Sequence, residues 1–324
     1  MSGRMLRCLA AVLALTAISS QSFAQQFPAR QIHLLTPYPP GAGDAMIRIL
    51  QDSLSTSLGQ RIIIENRPGA AGIIASREVA RASPDGYTLL FTNVGPMTVA
   101  PVVQADAGYD PVKSYAPVSL VSRQPLVLVV HPSVPANSLA ELIKLAKDKP
   151  GTINYSSAGI GSFGHLLTEL FAQAAGIEMT HIPYKGAAPA ITAIISGEVS
   201  LALTIPTGTM NEYIKLGKLK LLGVSTLQPS PLAPGATPIA SLLPSFGAAE
   251  YWFGIVAPAN VSPEVITKLN SAIIAALGEP GLKEKFFDLG AVPDPSTPDA
   301  FAALIATEAV RWRTVIEKSN IRVN

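Results

Sequence analysis

"TPYPPGAGDAMIRIL", residues 36–50, joins an apolar extended stretch to a segment with helical periodicity. Residues 31–36 read as a strand, and beyond Asp44 the apolar side chains Ile47, Leu50, Leu54 and Leu58 recur every three or four positions. Between them stand Pro39, Pro40 and the run Gly41-Ala42-Gly43, so the unit is strand, bare loop, helix. Glycine lets a ligand approach the backbone, and the first N–H groups of a helix lack intrahelical partners, which makes such a loop a seat for an anion. The same residues also describe a tight turn capped by Asp44, a reading that needs no ligand.

Outward from this unit the alternation continues almost to the end. Strands are predicted at 31–36, 61–65, 87–92, 125–130, 152–156, 179–182, 199–204, 219–225 and 252–257, with helices in most of the gaps. Ser138 followed by Glu141 is a capping-box signature, and Ser262-Pro263 and Thr297-Pro298 each place a cap residue before proline at a helix start. Such a pattern calls for an α/β fold of mainly parallel sheets covered by helices on both faces. The last third is helical, from about 263 to 277 and from 298 to 318, with no strand read between, a tail suited to packing back on an earlier domain. The proline-rich stretch 228–244 reads as a surface loop of several turns that still has Leu232, Ile239, Leu242 and Leu243 to bury.

Two further loops share the logic of the first. "NYSSAGIGSFGHLLTELF" (154–171) and "HIPYKGAAPAITAII" (181–195) are again strand, glycine turn and helix. Each falls at the carboxyl end of a strand, where open α/β sheets place their ligands.

Composition narrows the function classes. Residues 1–24 carry Arg4 and Arg7, an apolar run, and Ser22-Phe23-Ala24 at the end, the pattern of a secretory signal peptide cleaved after Ala24. The run is short of the roughly 20 apolar residues that span a bilayer. The single cysteine, Cys8, lies inside it, so the mature chain needs no disulfide in an oxidising compartment. Removing the two arginines brings the 24 basic residues level with the 22 acidic ones. With no basic run and no aromatic-basic interleaving, nucleic acid is not expected as a partner. A mature length of roughly 300 residues suits two domains.

Taken in order, "PYPPGAGD", "IIIENRPGAAGIIASREVARASPDGYTLLF", "YDPVKSYAPVSLV", "NYSSAGIGSFGHL", "HIPYKGAAPAITAIISGEVSLAL" and "WFGIVAPANVSPEVI" closely resemble the Bug, or tripartite tricarboxylate transporter, family of periplasmic solute-binding receptors. The resemblance covers essentially everything after Ala24. It implies a type II periplasmic-binding-protein fold with two α/β domains, a cleft between them and two crossover strands. The expected division is 25–124 with 248–324 in the first domain and 125–247 in the second. By the same resemblance the cleft is lined from the first domain by Tyr38, Gly41, Ala42, Gly43 and Asp44, and by the turn Asn93, Val94, Gly95 to Met97. From the second it is lined by Ser157, Ala158, Gly159, Ile160, Gly161 and Ser162, by Tyr184, Lys185 and Gly186, and by Thr204. It further implies that a ligand carboxylate is held by backbone N–H groups, hydroxyls and water. Two departures from the family pattern stand here: "GAGD" is one residue short of the usual spacing, and Thr204 stands where many relatives carry Asp.

Side chains near these loops add candidates. His165, in the first turn of a helix, is a possible ligand contact, whereas His33, His131 and His181 read as locally hydrogen-bonded structural residues. Tyr38, Phe163 and Tyr184 are candidates to stack on an apolar ligand body, and Lys185 for a cleft or interdomain role.

The enzyme readings fare poorly. Met46 stands where a dinucleotide fingerprint needs its third glycine, and no Gly-Lys-Ser/Thr follows any glycine loop. Ser162 lies in Gly-Ser-Phe-Gly, not in a nucleophile elbow, and the histidines lack metal-ligand spacing. The expectation is therefore a monomeric periplasmic receptor, without cofactor, metal or catalytic residues. It captures a small organic carboxylate (a dicarboxylate, hydroxy acid or aromatic acid) and delivers it to integral-membrane transporter subunits. A sensing module that serves a membrane signalling protein, and an enzyme on the same fold, stay open as alternatives.

Overall fold

The structure, a computed structural model, describes residues 27–321 apart from 41, 105 and 207, and the side chains of 42 and 43 are likewise left aside. The predicted signal peptide, its cleavage point after Ala24, and Gly41 lie outside the described residues.

Each strand-loop-helix unit read from the sequence is present. In the first sheet β1 (Ile32–Thr36) lies between and parallel to β2 (Ile62–Asn66) and β3 (Thr88–Asn93). Helix α1 (Ala42–Leu58) covers them, and Ile47, Leu50, Leu54 and Leu58 are buried along its inner face. The sheet continues through β11 (Tyr251–Pro258), antiparallel to both β3 and β4 (Tyr115–Gln124), and ends at the two-residue β12 (Val292–Pro293).

The second sheet repeats the plan. Strand β6 (Asn154–Ser157) is parallel to β7 (Thr180–Pro183) and β8 (Leu201–Thr204). Strand β5 (Val127–Val130) runs antiparallel between β8 and β9 (Lys220–Val224), and the two-residue β10 (Thr237–Pro238) closes the edge. In sheet order, β2-β1-β3-β11-β4 matches β7-β6-β8-β5-β9 in position and direction, while the edge strands differ, β12 being antiparallel to β4 and β10 parallel to β9. Both sheets are mixed, not mainly parallel as expected, because β11 and β5 run against their neighbours. The chain leaves the first sheet after Gln124 and returns at Tyr251. The two crossovers are tied together where the Leu126 N–H donates to Ser225 Oγ (2.9 Å) and the Ser225 N–H to Leu126 O (2.9 Å).

Helix α2 (Phe163–Ala175) follows β6, and helices α3 (Pro263–Leu277) and α4 (Pro298–Lys318) form the tail. The caps behave as read: Ser138, Ser262 and Thr297 accept from the N–H groups of Glu141, Val265 and Ala300. The tail packs on the first sheet, as expected, and also reaches the second half through Trp312, whose ring meets that of Phe163 edge-on at 5.0 Å.

Three strands differ from the sequence reading. β4, ten residues long, went unread, and the two-residue β10 and β12 are too short to leave a pattern. β4 is buried on both faces, so the in-out alternation is missing, while Pro117, Ser119 and Ser122 imitate a loop. Pro117 falls beside a register shift against β11, where a ladder tolerates proline, and Ser119 Oγ donates to Ser296 O at 3.1 Å. In the proline-rich stretch Ile239 is fully buried, but Leu242 remains 46% exposed.

Candidate functional site

Where the carboxyl ends of β1, β3, β6 and β8 face one another, a cavity of about 750 Å3 opens between the sheets. Its first wall is built from Pro37-Tyr38-Pro39 after β1, from Pro68, Gly69, Ala71 and Gly72 after β2, from Asn93, Gly95 and Pro96 after β3, and from Tyr251 and Phe253 of β11. Its second wall carries Ser157 and Ala158, the run Gly161 to Gly164, Ala187 and Ile191, and Leu203 to Ile205. No Asp, Glu, Lys, Arg or His is among the described lining residues. An anion held here meets dipoles, not a countercharge.

Those dipoles lie at the start of α2. The N–H groups of Phe163 and Gly164, its first two residues, have no protein acceptor among the described residues, and the first turn holds no acid. Aligned peptide dipoles give such an end roughly half a positive charge. Ser162 accepts from the His165 N–H at 3.4 Å and keeps its own hydroxyl proton for a guest. Thr204, at the end of β8, likewise makes no side-chain hydrogen bond among the described residues. A Cβ on Gly164 would come 2.8 Å from Leu203 O, so only glycine lets the helix start lie this close to the strand.

Behind this end stands a stacked aromatic column. The Gly161 N–H donates to His165 Nδ1 at 3.0 Å, so it is not open to a ligand carboxylate, contrary to the expectation for that amide. The His165 and His181 rings lie 3.9 Å apart and 11° from parallel, with Tyr155 stacked beyond His181 at 4.8 Å. His181 Nε2 meets Ser157 Oγ at 2.7 Å, and the Tyr155 hydroxyl donates to Glu169 at 2.6 Å. Burial holds the His165 pKa down to about 4; burial, and then repulsion from His165, does the same to His181. Neutral His165 has the lone pair that Gly161 requires. His165 is therefore a brace behind the loop and not part of the lining, and Ser157, though it lines the cavity, has its hydroxyl engaged by His181 and the Gly159 backbone.

Other predicted residues also serve the frame. The Tyr184 hydroxyl donates outward to Glu198 at 2.7 Å, and Lys185 is exposed; neither lines the cavity. Their turn braces the glycine loop instead, since the Tyr184 N–H donates to Ser157 O (3.0 Å) and the Gly186 N–H to Ala158 O (3.2 Å). Asp44, 1% exposed, receives Arg48 and the Asn66 amide, which also donates to Tyr38 O at 2.9 Å. It thus ties the loop after β1 to the end of β2. Ala42 and Gly43 open α1. Val94 is fully buried, and neither it, Gly159 nor the half-exposed Ile160 lines the cavity. Asn93 does line it, but its Oδ1 accepts from the Gly95 N–H (2.8 Å) and its Nδ2 donates to the Tyr251 hydroxyl.

A profile of the family described as "Tripartite tricarboxylate transporter family receptor" matches residues 46–321. The chain belongs to this family. It is 34% identical to Protein BugT of Bordetella pertussis over 323 residues, which covers 99% of this chain and 98% of BugT. Among solved structures, Rpa4515 of R. palustris, solved with adipate, is 32% identical with a TM-score of 0.74 over 91% of this chain and 99% of its own. MatC (Rpa3494) of Rhodopseudomonas palustris, solved with bound malate, is 29% identical with a TM-score of 0.70 over 90% of this chain and 100% of its own. The fold is accordingly that of a periplasmic solute-binding receptor with two α/β domains and a cleft between them.

Within this tripartite-transporter receptor, sequence reasoning missed most of the first wall. The loop after β2 carried a signal, the glycines of "NRPGAAG"; Tyr251 and Phe253, far along the chain, carried none. Gly161 still offers a direct probe of the second wall. Its φ of +76° is tolerated by Asn and Asp alike, so Gly161→Asn reports the backbone cost and Gly161→Asp adds only a negative charge beside the start of α2. Relative to the Asn variant, Gly161→Asp is expected to weaken ligand binding at least about tenfold, or about 1.4 kcal/mol. Calorimetric titration of the two folded variants checks this, and equal affinities would move the anion site elsewhere.

Proposed function

We propose that the chain is exported through a signal peptide cleaved after Ala24 and works in the periplasm. There it captures a small organic carboxylate in the cavity between its sheets and presents it to integral-membrane transporter subunits. Residues 25–124 with 248–324 act as one closing body and 125–247 as the other, with no covalent chemistry. The ligand carboxylate is received by the N–H groups of Phe163 and Gly164 and by the hydroxyls of Ser162 and Thr204. The observation that carries this reading is that no charged side chain is among the described lining residues, while unpaired N–H donors stand at the start of α2. The adipate and malate held by two relatives support the ligand class.

A ligand that binds only the folded state stabilises it by about 2.7 kcal/mol at a hundredfold excess over Kd. Thermal melts against a panel of mono-, di- and tricarboxylates and aromatic acids are therefore expected to show a clear rise in Tm for at least one acid, which is recovered unchanged. A flat panel would remove the receptor reading.

A further inference from the structure

One ring crosses between the two halves at the point where the carboxylate is received. From this we infer that Phe163 is a positioning residue of the site: its side chain, seated in the first half, sets where the donors at the start of α2 stand. The inference rests on the carboxylate-receptor reading above and asks what holds those donors against the opposite wall.

Phe163 has two tasks. Its N–H is one of the two unpaired donors at the start of α2, while its ring packs on the first half. The ring meets Tyr251 edge-on (5.2 Å, 77°) and Trp312 edge-on (5.0 Å, 69°), spacings that aromatic pairs prefer. Tyr251 opens β11, where the chain re-enters the first sheet, and Trp312 belongs to the tail helix α4, which packs on β4. Phe163 borders the cavity but is only 8% exposed, which leaves a ligand little of the ring to stack on.

The socket is itself held. The Tyr251 hydroxyl accepts from the Asn93 amide. Trp312 is fully buried, and its indole N–H donates to Glu308. The neighbouring Arg311 donates to Phe246 O and Ala248 O, in the segment that returns to the first sheet, and reaches Glu308 at 3.4 Å. Adjacent residues of α4 therefore grip the returning crossover and the Phe163 ring. A second tie holds the far end of α2 to the end of the same helix, where Gln173 Nε2 donates to Ser319 Oγ at 2.8 Å.

On its other side the start of α2 lies against β8, at the close approach of Gly164 to Leu203 O. It is thus wedged between its own sheet and two aromatic rings of the first half, and loss of either ring contact frees it to shift. Donors serve a bound group only when held to within about 0.5 Å of the productive geometry. Trp312, which does not line the cavity, accordingly acts on affinity through Phe163.

Calorimetric titration of the full mature protein with hexanoate, adipate, malate, citrate and benzoate first identifies the tightest-bound of the five. For that acid Trp312→Leu and Phe163→Leu are each expected to weaken binding at least about tenfold. The double variant should be no more than about threefold weaker than the poorer single one, as a single linkage requires. Trp312→Phe, which keeps a ring in the socket, should stay within about threefold of wild type. So should Phe301→Leu, which empties a fully buried site on the same helix without touching Phe163. In ligand-free protein the Leu166 amide, bonded to Ser162 O at 3.0 Å in the first turn of α2, should exchange about tenfold faster in both single leucine variants, while Leu128 in β5 keeps its protection. Wild-type affinity in folded Trp312→Leu, an equal loss in Phe301→Leu, or faster exchange at Leu128 as well would overturn the inference and leave the receptor reading standing. If Trp312→Leu does not fold, unchanged exchange at Leu166 in Phe163→Leu would overturn it alone. Binding of none of the five acids by the wild-type protein would overturn both.

Discussion

Lowering the pH from 7 to 4 is expected to weaken the folded protein by roughly 3 kcal/mol through His165 alone, with a further loss through His181. Both rings are held at a pKa of about 4, against an ordinary 6.5. The unfolded chain takes up protons as the pH falls below about 6.5, and the folded chain refuses them until about 4. Stability is thus undiminished above 6.5, declines between 6.5 and 4, and has lost the whole contribution below 4. The groups facing the pair are Ser157, Tyr155 and Glu169, and only Glu169 favours the charged form. With the rings 3.9 Å apart, the first proton makes the second harder to add. Protonation at His165 Nδ1 also removes the acceptor for Gly161, so binding should decline over the same interval. Urea unfolding at stepwise pH, with His165→Gln as the comparison, checks this. Glutamine offers an oxygen to Gly161 without titrating, so the acid-linked loss should shrink by about half while binding at pH 7 survives. A variant that keeps the full wild-type slope would show that other groups cause the loss.

The fold was legible wherever burial leaves a period. The strand-loop-helix units that begin at β1 and β6 pair a short apolar run with a helix whose inner residues recur every three or four positions, and both stand where they were read. β4 was not legible because a strand covered on both faces has no alternation, and its buried serines are satisfied by partners, such as Ser296, that only the fold brings near. In the candidate site the glycine loop before α2 could be read, since glycine, serine and a helix start together announce free N–H groups. Which of those groups is free could not. That depends on the left-handed turn at Gly161, which hands its N–H to His165, and on Tyr184 turning outward to Glu198. The aromatic wall was the least legible part, because Tyr251 and Phe253 belong to a strand that reaches the first sheet only after the chain has built the second.

Amino acids are expected to bind at least about a hundredfold more weakly than the acids that lack their ammonium group, a difference of about 2.7 kcal/mol. A closed cleft must pair an ammonium, and an uncompensated buried charge costs roughly 3–5 kcal/mol. None of the described lining residues is Asp or Glu. Asp44, on the helix after the first loop, is engaged by Arg48 and Asn66, and Glu250, next to Tyr251, faces Arg123 at 3.9 Å. Glu198 is occupied by Tyr184 on an exposed face. At the end of β8 stands the Thr204 hydroxyl, which can donate to an oxygen but brings no negative charge to a cation. The remaining acceptors are neutral, the Gln124 side-chain oxygen and backbone carbonyls, and of the latter Leu203 O is covered by Gly164. The sign of the local field points the same way: the helix start that attracts a carboxylate repels the α-ammonium carried on the adjacent carbon. Titration of norleucine against hexanoate, and of glutamate against glutarate, measures the difference without changing the carbon chain. Amino acids that bind as tightly as their deaminated partners would require an acceptor set that this cavity does not contain, and would move the site to another part of the cleft.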